Sequence, residues 1–204
     1  MINTEFLLTS LIVVLVPGTG VIYTISTGLA QRWRASIAAA FGCTLGILPH
    51  LTASILGLSA ILHMSALVFQ ILKIVGALYL LYLAWGMWQD TGMIKFEQSD
   101  QKHNTWQIVV KGILINILNP KLTLFFLAFL PLFVSADASS PTRQMLGLGA
   151  IFMLLTLLIF GLYGILASSV SSHLLNSPKI IRRVQKSFAL VFAGLAVQLA
   201  ISKR

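Results

Sequence analysis

A lysine that follows a helix-breaking pair deep inside an apolar stretch is the most chemically informative residue of this sequence. Asn119 and Pro120 favour the start of a helix, because asparagine caps free amide groups and proline suits the first helical position. Lys121 then lies in a first helical turn, where a cation is disfavoured, and far from either end of its apolar run, where a charge is costly. A compensating substrate carboxylate would explain this position. The alternative is a partner within the protein, either Asn116 or backbone carbonyl groups.

A second proline, Pro17, interrupts an earlier apolar run at a similar depth. At ~1.5 Å per residue, a dozen helical residues reach the middle of a bilayer core about 30 Å thick. Pro17 frees a backbone carbonyl, and the glycines that follow allow a ligand to approach closely. A simple kink with helix packing is the alternative. Paired interruptions in two halves of a chain are typical of a transporter's binding site. The predicted substrate site comprises Pro17, Gly18, Thr19, Gly20, Asn116, Asn119, Pro120 and Lys121.

Two further ionisable residues lie within apolar stretches. His50 follows Gly42 and Gly46 at spacings of four, so the three residues share one helix face. An imidazole there can carry a proton or bind a substrate, which makes His50 the candidate for proton coupling. The alternative is a neutral histidine that bonds to backbone freed by Pro49. Lys73 is a candidate for substrate binding or, alternatively, a lysine whose side chain extends to the membrane surface.

The elements that must position these residues are membrane-spanning helices. The chain has 204 residues, of which 57% are hydrophobic and 9% charged, and its mean hydropathy is +0.92. This composition is typical of a multi-span membrane protein, for which the lipid bilayer is the principal partner. The alternative to six spans is five spans with a last helix that lies on the membrane surface. The six predicted spans are residues 6–30, 36–62, 66–89, 108–134, 145–171 and 187–202.

The basic residues favour one orientation in the membrane. One set of loops and ends holds Arg143, Lys203 and Arg204, and the opposite set holds Arg32, Arg34, Lys95, Lys102, Lys111, Lys179, Arg182, Arg183 and Lys186. The richer set should face the cytoplasm, which places both termini on the outer side of the membrane. Because the basic residues lie in short loops, the net charge of +9 does not indicate nucleic-acid binding.

The predicted fold is all-α and forms a single transmembrane domain over residues 1–204. A polar cytoplasmic loop at about 90–106 divides it into halves of three spans, about 1–90 and 107–204. A repeated unit with an odd number of spans inserts its second copy upside down. We therefore expect two inverted three-helix repeats, in which helices 1 and 4 are broken.

Several chemistries lack their residues in this sequence. No phosphate-binding Gly-x-x-x-x-Gly-Lys loop is present, which argues against ATP hydrolysis. The predicted spans contain no aspartate or glutamate, which argues against a metal site or divalent-cation transport. No Ser/His/Asp set can be assembled. We expect neither an enzyme nor a bound cofactor.

With these residues in view, the chain resembles the lysine exporter and homoserine–threonine exporter family of bacterial amino-acid efflux proteins. The resemblance rests on Pro17-Gly18, on the run 42–46 with His50, on 72–83, on 129–134 and above all on 112–121, which ends in Asn119-Pro120-Lys121. It implies export of amino acids from the bacterial inner membrane, driven by the proton motive force.

Two departures from the family pattern bear on the substrate. Thr19 stands where members often have a second proline, and Ile47 stands where many carry an acidic residue. A site with lysines and no carboxylate would repel a basic side chain, so a neutral amino acid suits it better. The function expected is a secondary transporter with a small-molecule substrate, by proton antiport. The alternatives are an ion or metal transporter on the same scaffold and a non-transporting scaffold subunit. The sequence leaves a homo-oligomer open.

Overall fold

A computed structural model describes residues 4–63, 66–89, 104–134 and 140–169, together with scattered positions between 182 and 197. These ranges are helical and contain no strand. The continuous described ranges form seven α-helices: α1 (Thr4–Leu15), α2 (Thr19–Leu45), α3 (Leu48–His63), α4 (Ala66–Gln89), α5 (Thr105–Ile117), α6 (Pro120–Leu124) and α7 (Pro141–Ser169). α6 continues as a π-helical turn, Phe125–Phe129, and a 3₁₀ turn, Leu130–Phe133. The predicted sixth span, residues 187–202, falls largely outside the described residues.

Both prolines interrupt the helical path at the expected depth. α1 has 12 residues and α5 has 13, so each is roughly 18–20 Å long, somewhat more than half of a bilayer core. The first break occupies residues 16–18 and the second residues 118–119. Across the second break the helical axis bends by 52°. Each break therefore exposes helix ends in the interior, where backbone groups need partners.

Helix α2 turns back on itself at Arg32. This residue has φ 69° and ψ −177°, which interrupts the helical conformation. A β-carbon built on Gly28 would lie 3.3 Å from that of Ser36, and the thiol of Cys43 lies 3.8 Å from the carbonyl oxygen of Gly20. A lower residue number on the first arm therefore pairs with a higher number on the second arm. The arms of α2, residues 19–31 and 33–45, consequently run antiparallel.

The described helices are those of an integral membrane protein. Two stretches, Thr19–Gly57 and Pro141–Ser169, are long and apolar enough to cross a membrane, and the bent pair Thr105–Ile117 and Pro120–Phe133 is a third candidate. Because the first stretch reverses at Arg32, its two arms belong to different passes of the chain. The six-span arrangement in two inverted repeats stays a prediction.

Small residues bring α2 against α5 at backbone distance. A β-carbon on Gly46 would lie 2.7 Å from the carbonyl oxygen of Ile113, and one on Gly42 would overlap the carbonyl oxygen of Val109. The two pairs are each four residues apart, which is one helical turn on both partners. The glycine pair therefore allows the close approach of the two helices, and this contact fixes the position of α5 beside the arms of α2.

An aromatic cluster joins the second break to α7. The ring of Phe152 stacks on Phe125 with centroids 4.5 Å apart and meets the edge of Phe126 at 5.2 Å. All three side chains are buried. The cluster holds the segment after Pro120 against α7 and thereby orients the start of α6 toward the first break.

Candidate substrate site

The two helix breaks meet through the side chain of Lys121. Its ammonium nitrogen donates to the carbonyl oxygen of Val13 at 3.0 Å and to that of Val16 at 3.1 Å. Both carbonyls belong to the C-terminal end of α1, which has no further helical amides to bond. A third carbonyl there, that of Leu15, accepts from the hydroxyl of Tyr163 at 3.0 Å. Backbone carbonyl groups are therefore partners of Lys121, which is one of the alternatives given in the sequence analysis. The contact of Lys121 with a substrate stays a prediction.

Asn119 caps the half-helix that carries this lysine. Its side-chain oxygen accepts from the amide of Lys121 at 3.1 Å, and its carbonyl oxygen accepts from the amides of Leu122 at 3.1 Å and Thr123 at 3.3 Å. The first amides of α6 are thus bonded locally. An ammonium has three N–H donors. Two are used on Val13 and Val16, and no described residue accepts the third, which can bind a ligand.

Asn116 ties the second break to α2. Its side-chain nitrogen donates to the carbonyl oxygen of Cys43 at 2.7 Å, and its side-chain oxygen accepts from the amide group of Asn119 at 3.3 Å. The residue is 1% exposed. Gly20 leaves the room for it, since a β-carbon there would lie 2.6 Å from the amide oxygen of Asn116. The two asparagines form a rigid polar wall beside the lysine.

A cavity lies between the two breaks and α7. Its space for the centre of a water molecule is about 10 Å³, which is roughly what one water needs. The wall from α7 contains Phe152, Thr156 and Phe160, which follow at spacings of four and share one face. Sequence reasoning missed this face, although its spacing was a readable signal. The other lining residues are Val13, Val14, Gly18, Gly20, Val21, Asn116, Asn119, Lys121 and Leu122.

Three predicted site residues whose side chains the structure describes, Pro17, Thr19 and Pro120, do not line this cavity. Pro17 and Pro120 shape the breaks without contributing to the wall, and the side chain of Thr19 is exposed. Lys73 lies within α4, but its side chain falls outside the described part of the structure. The cavity therefore brings together Gly18, Gly20, Asn116, Asn119 and Lys121 from the predicted set.

His50 lies behind the cavity rather than in its wall. Its Nε2 is 2.9 Å from the backbone oxygen of Asn116, and its Nδ1 is 3.3 Å from the hydroxyl oxygen of Thr123. The ring also stacks on Phe126 with centroids 6.4 Å apart. Because a carbonyl oxygen only accepts, Nε2 carries the hydrogen. The bond to backbone matches the alternative that the sequence left open, and the proton role stays a prediction.

Among the described residues, no group of three or more histidine, cysteine, aspartate or glutamate side chains is placed to hold a metal ion. The described residues that line the cavity offer one ammonium, two amides and the hydroxyl of Thr156 in an otherwise apolar wall.

Comparison with known proteins gives consistent matches over nearly the whole chain. The family described as LysE type translocator matches residues 11–203. An uncharacterized membrane protein of Vibrio cholerae serotype O1 is 31% identical over 97% of this chain and 96% of its own length.

Two relatives with functional names are more distant. A homoserine/homoserine lactone efflux protein of Salmonella typhimurium is 28% identical over 97% of this chain and 95% of its own length. A leucine efflux protein of Klebsiella pneumoniae is 25% identical over 96% of this chain and 92% of its own length. No solved structure gives a significant match.

Proposed function

Because this chain belongs to the LysE type translocator family, we propose that it exports amino acids or related small metabolites across the bacterial inner membrane. The names of two relatives support this class of substrate, since they are efflux proteins for homoserine or its lactone and for leucine. The observation that carries the proposal is the position of Lys121, whose ammonium joins two helix breaks at the edge of a buried cavity.

The substrate's two charged groups have complementary partners at this site. The carboxylate binds the ammonium of Lys121, which has a free donor and is drawn away from the backbone. The carbonyl oxygens of Val13 and Val16, released by the lysine, then accept from the substrate's α-ammonium. Each hydrogen bond that the two carbonyls lose to the lysine is replaced by one to the substrate, so both carbonyls keep a partner.

The side chain of the substrate is neutral and small. None of the described residues that line the cavity is acidic, and valine, leucine and phenylalanine form half of its wall. A lysine or arginine substrate would bring a second cation next to Lys121 without a carboxylate to offset it. The apolar wall favours an aliphatic or short polar side chain.

Transport requires the two halves of the chain to separate around the site. A cavity with room for about one water is too small for an amino acid, so the substrate binds in a wider form. The bonds from Lys121 to Val13 and Val16 cross between the proposed inverted repeats, residues 1–90 and 107–204. Rocking of one repeat against the other makes and breaks these bonds and exposes the site to each side in turn.

Protons drive export through His50, by antiport. This residue is 8% exposed, and its Nε2 contacts Asn116, a residue of the cavity wall. Imidazole changes charge near neutral pH, so proton uptake beside the wall can alter the site. The distribution of basic residues between the loops supports an orientation in the inner membrane with both termini in the periplasm.

Export is tested in cells and in liposomes. Expression should protect bacteria against toxic neutral amino acids and their analogues, and the purified protein should catalyse counterflow of the same compounds. A panel with basic amino acids and divalent metals is the matched comparison. Counterflow of metals without amino acids would show the ion-transporting alternative, and no counterflow of any compound would favour a scaffold subunit.

A further inference from the structure

The hydroxyl of Thr123 lies between two acceptors. It is 3.3 Å from Nδ1 of His50 and 3.4 Å from the carbonyl oxygen of Asn119. A hydroxyl has a single proton, so it can donate to one of these groups at a time, and its oxygen can also accept. Thr123 lies outside the cavity wall, and its sequence position gave no reason to assign it a role.

The charge of the imidazole decides which bond the hydroxyl makes. Nε2 of His50 carries a hydrogen in either state, because it faces the carbonyl oxygen of Asn116 at 2.9 Å. In the neutral ring, Nδ1 has a lone pair and accepts the proton of Thr123. In the charged ring, Nδ1 is itself a donor, and the threonine hydroxyl must accept from it and turn its own proton to Asn119. Every donor then has an acceptor in both states.

We propose that Thr123 is a positioning residue that accommodates both protonation states of His50 and transmits the change to Asn119. Asn119 caps the half-helix that carries Lys121, through a 3.1 Å bond from the amide of Lys121 to its side chain. Proton uptake by His50 therefore adds a donor at the residue that orients the substrate-binding lysine. This inference rests on the proposed proton role of His50.

The other groups around His50 carry no negative charge in the described part of the chain. The ring packs against Phe126, and Thr123 supplies the polar atom within reach of Nδ1. No carboxylate is therefore available there to stabilise a charged ring, which leaves the hydroxyl as the acceptor for Nδ1. The elements that contact α3 or the ring are α5, α6 with the turns that follow it, and α7, and their titratable side chains are Lys111, Lys121, Arg143 and Tyr163.

Thr123→Val and Thr123→Ser separate the hydroxyl from the shape of the side chain. Valine leaves Nδ1–H of a charged ring without an acceptor in a buried site, which disfavours proton uptake. We expect the pH at which half of the His50 rings are protonated to fall by about one unit, a roughly tenfold loss of proton affinity. Serine keeps the hydroxyl and should retain the wild-type midpoint.

The full-length protein in lipid nanodiscs provides the direct test. Nitrogen-15 signals of His50, identified by their absence in His50→Gln, are followed against pH in wild type and both variants. A midpoint in Thr123→Val equal to that of wild type would overturn the proposal and leave the export function untouched.

The pH profile of export in proteoliposomes is the second measurement. We expect the profile of Thr123→Val to move to lower pH and that of Thr123→Ser to match wild type. If wild-type export does not respond to pH while the nitrogen-15 midpoint of Thr123→Val still falls, proton antiport is wrong and the role of Thr123 at His50 stands.

Discussion

The ammonium of Lys121 lies 3.1 Å from the carbonyl oxygen of Val16, although 105 positions separate the two residues in the chain. One belongs to the second helix break and the other to the first. The bond therefore spans the boundary between the two halves at the depth where both are interrupted. A substrate that competes for this lysine acts on both halves at once.

Replacing Lys121 by glutamine should weaken substrate binding by about 10- to 100-fold, because a hydrogen bond to a charged group contributes roughly 1.5–3 kcal/mol. Glutamine keeps an N–H donor for the carbonyls of α1. The measurement is the substrate concentration for half-maximal counterflow. Lys111→Gln is the control, since Lys111 is an exposed lysine of α5 outside the cavity. Equal affinity in Lys121→Gln and wild type would remove the lysine from the site.

Gly20→Ala should abolish most of the export and lower stability by about 1–3 kcal/mol, because the added methyl group overpacks the site. It would lie 2.6 Å from the amide oxygen of Asn116 and 2.9 Å from the ring of Phe160. Gly161→Ala is the matched control, since nothing lies within 4 Å of a β-carbon there. Thermal unfolding and counterflow are measured on both. Normal export by Gly20→Ala would show that the side chains of Asn116 and Phe160 can move to accommodate the methyl group.

His50→Gln should retain export down a substrate gradient and lose the response to a pH gradient. Glutamine can donate to the backbone oxygen of Asn116, as Nε2 does at 2.9 Å, but it does not take up a proton. Substrate flux in proteoliposomes is measured with and without an imposed pH gradient. His63→Gln, at the end of the same helix, is the control. An unchanged pH response in His50→Gln would exclude this histidine as the proton carrier.

Arg32→Gly and Arg34→Gly remove the same charge and should differ in stability. Arg32 adopts φ 69°, a conformation that costs a residue with a β-carbon roughly 1–2 kcal/mol and glycine almost nothing. Arg34 is helical, so glycine there costs about 1 kcal/mol. We expect Arg32→Gly to have the higher melting temperature in the same detergent. The reverse order would contradict the turn at Arg32.

Single cysteines report the orientation of the chain. Cys43, the one natural cysteine, is 0% exposed, so background labelling should be low. In intact cells, a membrane-impermeant maleimide should label Arg204→Cys and should label Lys102→Cys only after permeabilisation. Labelling of Lys102→Cys in intact cells would reverse the predicted topology.

The sequence was sufficient to locate the breaks but not their contact. Proline and asparagine fix a helix boundary by local chemistry, so Pro17 and Asn119-Pro120 could be interpreted without a fold. The partners of Lys121 are backbone oxygens, and every residue has one. Nothing in the identity of Val13 or Val16 marks it as a partner.

Tertiary placement also explains the other missed features. The sequence gives no reason to single out Thr123, because its contact with His50 depends on the position of α3. The chain reversal between the predicted spans 6–30 and 36–62 was expected, but its restriction to a single positive-φ residue, Arg32, was not, because glycine is the usual signal of that conformation. The spacing of Phe152, Thr156 and Phe160 predicts that they share a helix face. Which part of the protein this face contacts depends on how α7 packs against the two breaks.

The use of backbone oxygens by Lys121 has a genetic consequence. Exchanging Val13 or Val16 for another residue leaves the carbonyl in place, so alanine scanning there reports the loss of buried side-chain packing and not the bond to the lysine. Replacing single peptide bonds by esters weakens the carbonyl as a hydrogen-bond acceptor. This replacement would detect the contribution of these backbone oxygens, which side-chain substitution does not change.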